Sequence, residues 1–109
     1  MLSTEELANL CTENGFLRDV DRWDRDIAVA LASLECIELT EAHWEIISLL
    51  RQFYDEFGDS PANRALVNYV KRHLGSAKGQ SVYLMGLFPD FPARRASRIA
   101  GLPKPKHCL

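Results

Sequence analysis

The sequence has no CxxC pair, no apolar run longer than six residues and, after Asp90, no acidic side chain. Each absence excludes something. The three cysteines, Cys11, Cys36 and Cys108, are odd in number and widely spaced, which excludes a disulfide framework and a zinc site. The short apolar runs exclude a membrane-spanning helix. The start, Met1-Leu2-Ser3-Thr4-Glu5-Glu6, lacks a basic stretch followed by an apolar core, so no signal peptide and a cytoplasmic location are expected. Internal repeats and low-complexity tracts are missing too. At 109 residues the chain is long enough for one hydrophobic core and too short for two. No metal and no cofactor are expected.

What is present is unevenly distributed. The net charge is −2, but residues 1–60 hold fourteen Asp/Glu against four Lys/Arg, a balance of −10. Residues 61–109 hold Asp90 alone against nine Lys/Arg, a balance of +8. A basic end of this kind meets an acidic protein patch or nucleic acid, or is simply a solvated face.

The apolar pattern predicts five helices. Asp24 caps the first, over Arg25 to Leu34, with Ile27, Ala30, Leu31 and Leu34 at helical spacing and Trp23 as a core anchor. Thr40 caps the second, whose broad stripe of Ala42, Ile46, Leu49, Leu50, Phe53 and Phe57 makes it the central core helix, ended by Gly58. Ser60-Pro61 opens the third by the preference for proline at the first helical position, and Gly75 closes it. A short fourth helix runs from Val82 to Phe88, and Pro92 begins a fifth that ends at Gly101. Before these, Glu13-Asn14-Gly15 reads as a turn, followed by Phe16 and Leu17. That suits a small β-hairpin, although Leu2 to Leu10 suits a helical turn or two equally. Cys11 and Cys36 read as packing residues. His43 reads as a surface histidine near a cap; a metal role needs a partner at i+4, where Ile47 stands.

The C-terminus carries the chemistry. Past Gly101 the helix cannot continue, and Pro103 and Pro105 bias the tail to extended geometry. Residues 102–109 can then reach about 27 Å at ~3.4 Å per residue. Cys108 sits at the penultimate position of this tail, where burial is rare. An ordinary thiol, with a pKa of about 8.5, is about 3% thiolate at neutral pH. Lys104, Lys106 and His107 lower that pKa and the terminal carboxylate raises it, so activation has to come mainly from a partner's pocket. On position alone, Cys108 is either a transfer thiol or an incidental terminal cysteine.

Several stretches resemble the DsrC/TusE family of sulfur carriers. Ile99-Ala100-Gly101-Leu102-Pro103-Lys104-Pro105, then two residues, Cys108 and one apolar residue, is similar to the family's C-terminal signature. Gly15-Phe16-Leu17, Leu39-Thr40-Glu41-Ala42-His43-Trp44-Glu45, Arg51-Gln52-Phe53-Tyr54, Ser60-Pro61 with Arg64, and Leu87-Phe88-Pro89 agree with it in order. The resemblance implies a mainly α fold. As read here, that is a five-helix orthogonal bundle over residues 1–101 with a small N-terminal β-hairpin, and a flexible C-terminal arm over 102–109. It also implies that Cys108 accepts sulfur as a persulfide. Two-cysteine members, which work with dissimilatory sulfite reductase, carry a second arm cysteine where this chain has Ser97, eleven residues before Cys108. Serine cannot form the disulfide that the two-cysteine chemistry needs. The resemblance is therefore to the TusE branch, which serves 2-thiolation of the tRNA wobble uridine. Three departures from the family pattern are Phe91 and Cys36, where glycine is usual, and Arg94-Arg95, where Lys-Gln is usual.

The expected activity is that of a sulfurtransferase, a persulfide carrier within a relay. Its expected partners are a TusBCD-like persulfide donor complex and a tRNA 2-thiouridylase, with tRNA met only indirectly and no membrane. Arg94, Arg95, Arg98, Lys104 and Lys106 would steer docking, and Gly101 would be the hinge. The rival readings are a helix-turn-helix-like nucleic-acid-binding protein and a regulatory relative without sulfur transfer.

Overall fold

The computed structural model describes residues 3–106. It contains six α-helices in the order α1 (Thr4–Leu10), α2 (Arg25–Leu34), α3 (Glu41–Phe57), α4 (Asn63–Leu74), α5 (Ser81–Leu87) and α6 (Pro92–Ile99). A 3-10 turn, Val20–Arg22, precedes α2.

The expected five helices with an N-terminal β-hairpin are corrected here. Among the described residues there is no strand, and the hairpin shrinks to one antiparallel bridge between Cys11 and Leu17. The turn itself is present. Gly15 adopts φ +83, its N–H reaches the Thr12 carbonyl at 2.9 Å, and the Thr12 N–H donates to the Phe16 carbonyl at 2.7 Å. What is missing is a first strand, because its residues form α1. Ser3 caps that helix by accepting the Glu6 N–H at 3.1 Å, Glu5 and Glu6 sit in its first turn, and Leu7 turns inward. Local capping outcompetes a ladder with room for only one pair.

The helices from α2 onward begin and end as their caps dictate. Asp24 accepts the Ile27 N–H at 2.9 Å at the start of α2. Gly58, at φ +71, ends α3 in the left-handed conformation that glycine adopts without strain. Helix α4 starts two residues later than the proline rule suggests. Pro61 is buried ahead of the helix, Ala62 is its extended N-cap, and the Asn63 carboxamide accepts the Ala93 N–H of α6 at 3.0 Å.

The hub is α6 rather than α3. It packs against α2, α3, α4 and α5. Its inward face is Pro92, Ala93, Ala96, Ser97 and Ile99, all buried. Small side chains let four neighbours approach one short helix; apolar volume comes from Leu31, Ile46, Leu50, Leu66, Leu84 and Phe88 around it. His43 is also corrected, since it is 7% exposed rather than on the surface. Its Nδ1 accepts the Thr40 N–H at 3.1 Å, and its Nε2 donates to the Leu87 carbonyl at 2.8 Å, tying the start of α3 to the end of α5. Accepting at Nδ1 requires the Nε2–H tautomer.

Gly58 and Gly101 provide an internal comparison. Both have positive φ, but a Cβ at Gly58 meets open space, whereas one at Gly101 lies 2.4 Å from Cδ1 of Trp23. Gly58→Ala is expected to cost about 1 kcal/mol and Gly101→Ala about 2–4 kcal/mol in urea unfolding. Equal losses would show that the Trp23 contact contributes nothing.

Candidate functional site

The C-terminal end of α6 and the segment after it form one connected structure. Gly101, at φ +73, and Leu102 close α6 in a Schellman motif: the Leu102 N–H donates to the Ser97 carbonyl at 2.9 Å and the Gly101 N–H to the Arg98 carbonyl at 3.1 Å. Leu102 is fully buried. Two side chains from elsewhere take the remaining carbonyls. The Trp23 indole N–H donates to Ile99 O at 2.9 Å, and Arg51 donates from Nη1 to Ala100 O at 3.0 Å. Arg51 also reaches Val20 O at 3.3 Å, and its guanidinium lies 4.5 Å from the Trp23 ring centroid. Burial pushes Arg51 below its ordinary pKa, against the pull of Asp55, Asp21 and Tyr54.

Beyond the cap the chain is tied to the α3–α4 connection. The Ser60 hydroxyl donates to Pro103 O at 2.6 Å, and Ser60 is itself 6% exposed. Asp59 accepts the Ser60 N–H at 2.8 Å and pairs with Lys106 at 3.5 Å. Pro105 is buried and Lys104 is exposed. Gly101, the expected hinge, is thus buried between Trp23 and the helix cap, and rotation there would have to break the Leu102 N–H bond to Ser97 O and draw Leu102 out of the core. Cys108, with His107 and Leu109, lies outside the described residues.

The arginines expected to dock a partner form an internal cluster around Glu35. Arg95 Nε lies 3.7 Å and Arg98 Nη1 3.6 Å from Glu35 Oε1; Arg95 also reaches Asp90 at 3.6 Å. Arg98 donates from Nε to Gly15 O at 2.9 Å, joining α6 to the N-terminal turn. Arg94 is partly exposed and its charge also acts on Glu35. Burial raises the Glu35 pKa, opposed by Arg98, Arg95 and Arg94, and Glu35 Oε2 has no partner among the described residues. Ser97 is fully buried with its hydroxyl equally unpartnered.

The two described thiols differ. Cys11 is buried, and burial pushes its pKa up against the opposing pull of Arg98 and Arg18. Cys36 is exposed, contrary to the packing role expected for it, because the chain turns there at φ +58. That left-handed backbone matches the glycine usual at this position in the family that the sequence resembles. Sequence reasoning named neither Arg51 nor Ser60 as a site residue, although both lie in stretches that resemble the family. Among the described residues no group of three or more His, Cys, Asp or Glu is placed to hold a metal, and no helix is long and apolar enough to cross a membrane.

Residues 4–109 match the family described as DsrC like protein. The Sulfurtransferase TusE homolog of Haemophilus influenzae is 50% identical over 97 residues, covering 89% of each chain. Sulfurtransferase TusE of Pectobacterium atrosepticum is 45% identical over 109 residues and covers both chains entirely. Among solved structures, DsrC of Allochromatium vinosum superposes with a TM-score of 0.82 at 44% identity, covering 91% of this chain and 88% of that one. The oxidized DsrC gamma-subunit of dissimilatory sulfite reductase from Archaeoglobus fulgidus gives a TM-score of 0.77 at 42% identity, covering 91% and 90%. The chain belongs to the DsrC-like family. Within that family it is a sulfurtransferase with a sulfur-carrier role, and this favours the carrier over the helix-turn-helix reading.

Glu35 gives a pH signature with a definite sign. Its folded pKa is raised, so its contribution to stability is complete below the unfolded value of about 4.3 and is lost as pH rises through the folded value. Denaturation of wild type and Glu35→Gln from pH 7 to 4 should show wild type gaining relative to the variant as pH falls. A gap that is constant, or that moves the other way, would contradict the buried carboxylate.

Proposed function

We propose that Cys108 is the sulfur-accepting residue and that the chain passes this sulfur along a cytoplasmic relay leading to 2-thiolation of the tRNA wobble uridine. The observation that carries the reading is 50% identity over 97 residues to a TusE-type sulfurtransferase, in a chain with serine rather than a second cysteine at position 97. Full burial of Ser97 adds support, since a reactive thiol needs access.

The chemistry is an exchange without net redox change. The Cys108 thiolate attacks the outer sulfur of a donor persulfide; a new S–S bond forms, the donor's S–S bond breaks, and the donor cysteine leaves as thiolate. Delivery repeats the exchange in the opposite sense at the acceptor. The donor in this proposal is a TusBCD-like complex and the acceptor a tRNA 2-thiouridylase, so tRNA is met through the enzyme. Residues 1–101 serve as the platform and 102–109 as the arm. Lys104 and Lys106 stand on the arm with exposed side chains and steer it toward acidic surfaces, helped by Arg94. Arg95 and Arg98 contribute less long-range attraction because Glu35 neutralises part of their charge. Arm extension by rotation at Gly101 requires release of Leu102 from its cap and the core as well as of the Ser60 and Asp59 contacts.

Intact-protein mass spectrometry tests the reading, with the chain incubated with a cysteine desulfurase, cysteine and a relay donor. Wild type gains one sulfur, Cys11→Ser and Cys36→Ser gain it equally, and Cys108→Ser gains none. An adduct that persists in Cys108→Ser means another thiol is the carrier, and no adduct on wild type with an active donor removes the proposal.

A further inference from the structure

Helix α2 carries large apolar side chains on both sides. Its core face is Ile27, Ala28, Leu31 and Ala32, all buried. An ordinary surface helix would be polar on the opposite face. Here that face carries Val29 and Leu34, 49% and 53% exposed. Two open cavities run along it. One, of about 540 Å³, lies between α1 and α2 and is lined by Ser3, Thr4, Leu7, Asp26, Ala30 and Leu34 together with Val29 and Ser33. The other, of about 430 Å³, lies between α2, the Cys36–Leu39 segment and Trp44. Val29 and Ser33 line both, so the two form one trough.

The trough has a definite electrostatic character. Asp26 and Glu38 line it, and among the described residues no lysine or arginine does. Glu5 and Glu6 stand in the first turn of α1 and Glu41 in the first turn of α3, at its two ends. The nearby Arg25 guanidinium sits 3.9 Å from the Trp44 ring centroid, on an aromatic face. An apolar floor with acidic margins repels nucleic acid and anionic lipid alike. Among the described residues, no buried polar group without a partner lines it, as would be needed to orient a small ligand. It is complementary to an amphipathic protein segment with an apolar stripe and lysine or arginine on its flanks. Among the described residues none after Trp44 lines it, so the trough does not include the Leu102–Lys106 segment.

We propose that the α2 trough is a docking surface for a basic amphipathic helix of a partner protein, separate from the sulfur-carrying arm. This division lets a partner hold the body at one surface while the arm engages another. The proposal does not depend on which cysteine carries sulfur, so its test uses full-length Cys108→Ser.

Two synthetic peptides of about 18 residues, five helical turns, are compared as probes. They share one leucine stripe; the polar face is lysine in one and glutamate in the other. Binding is followed by amide chemical shifts. The lysine peptide is expected to bind at least about tenfold more tightly than the glutamate peptide at low salt, to weaken as salt rises, and to shift Val29, Ser33, Leu34 and Ile37. Val29→Ser/Leu34→Ser, both at exposed positions, is expected to lower that affinity about tenfold, and Asp26→Lys/Glu38→Lys to reduce the preference for the lysine peptide. Equal affinity for the two peptides, shifts centred elsewhere, or no binding would each overturn the proposal. So would shifts at these residues on concentrating the protein alone, since the trough would then be covered by a second copy of the chain.

Discussion

The structure depends on how α6 ends. A helix leaves its last carbonyls without partners, and in a buried helix that deficit has to be met from somewhere. Here it is met three ways at once: by the backbone of Gly101 and Leu102, by the Trp23 indole and by the Arg51 guanidinium. A neutral hydrogen bond contributes about 1 kcal/mol net and a charged one about 1.5–3 kcal/mol. Together with Leu102 in the core, they fix where the C-terminal segment leaves the body and in which direction. A sulfur carrier needs that departure point, because effective concentration at a partner falls with the length of chain free to wander.

The same helix explains the cost of the arginine cluster. Arg95 and Arg98 approach Glu35 at 3.6–3.7 Å, ion-pair distances rather than short hydrogen bonds, and leave one carboxylate oxygen unpartnered among the described residues. Desolvation therefore outweighs attraction at Glu35. The cluster joins α2, α6 and, through Arg98 and the Gly15 carbonyl, the N-terminal turn. It specifies their arrangement more than it stabilises it, and it withdraws part of the basic charge that the sequence shows in its second half.

Much of the fold was legible because it was written in local chemistry. Asp24, Thr40, Gly58 and Pro92 placed helix ends through capping and backbone preference, and the α3 stripe announced a buried face. The hub was not legible. Ala93, Ala96 and Ser97 carry little apolar weight, and their importance lies in close approach, which only the assembled neighbours reveal. The N-terminal hairpin failed for a similar reason: the Asn14-Gly15 turn was read correctly, but Ser3 and Leu7 committed the preceding residues to α1. His43 looked like a surface residue because its partner, the Leu87 carbonyl, is 44 residues away in sequence. The anchors of the C-terminal segment, Trp23, Arg51 and Ser60, lie 76, 49 and 43 residues from the carbonyls they bind, beyond any local pattern. Cys108 lies outside the described residues, and the role proposed for it rests on position and resemblance.

The account stands on the anchoring of residues 99–102, and amide hydrogen exchange measures it directly. With the anchors intact, the Leu102 amide should be protected to a level near that of Ala100. In Arg51→Met it should lose at least about tenfold in protection while Ile46 in α3 keeps its own. Exchange of Leu102 in wild type at the rate of an unstructured peptide would contradict the claim that this segment is fixed to the body.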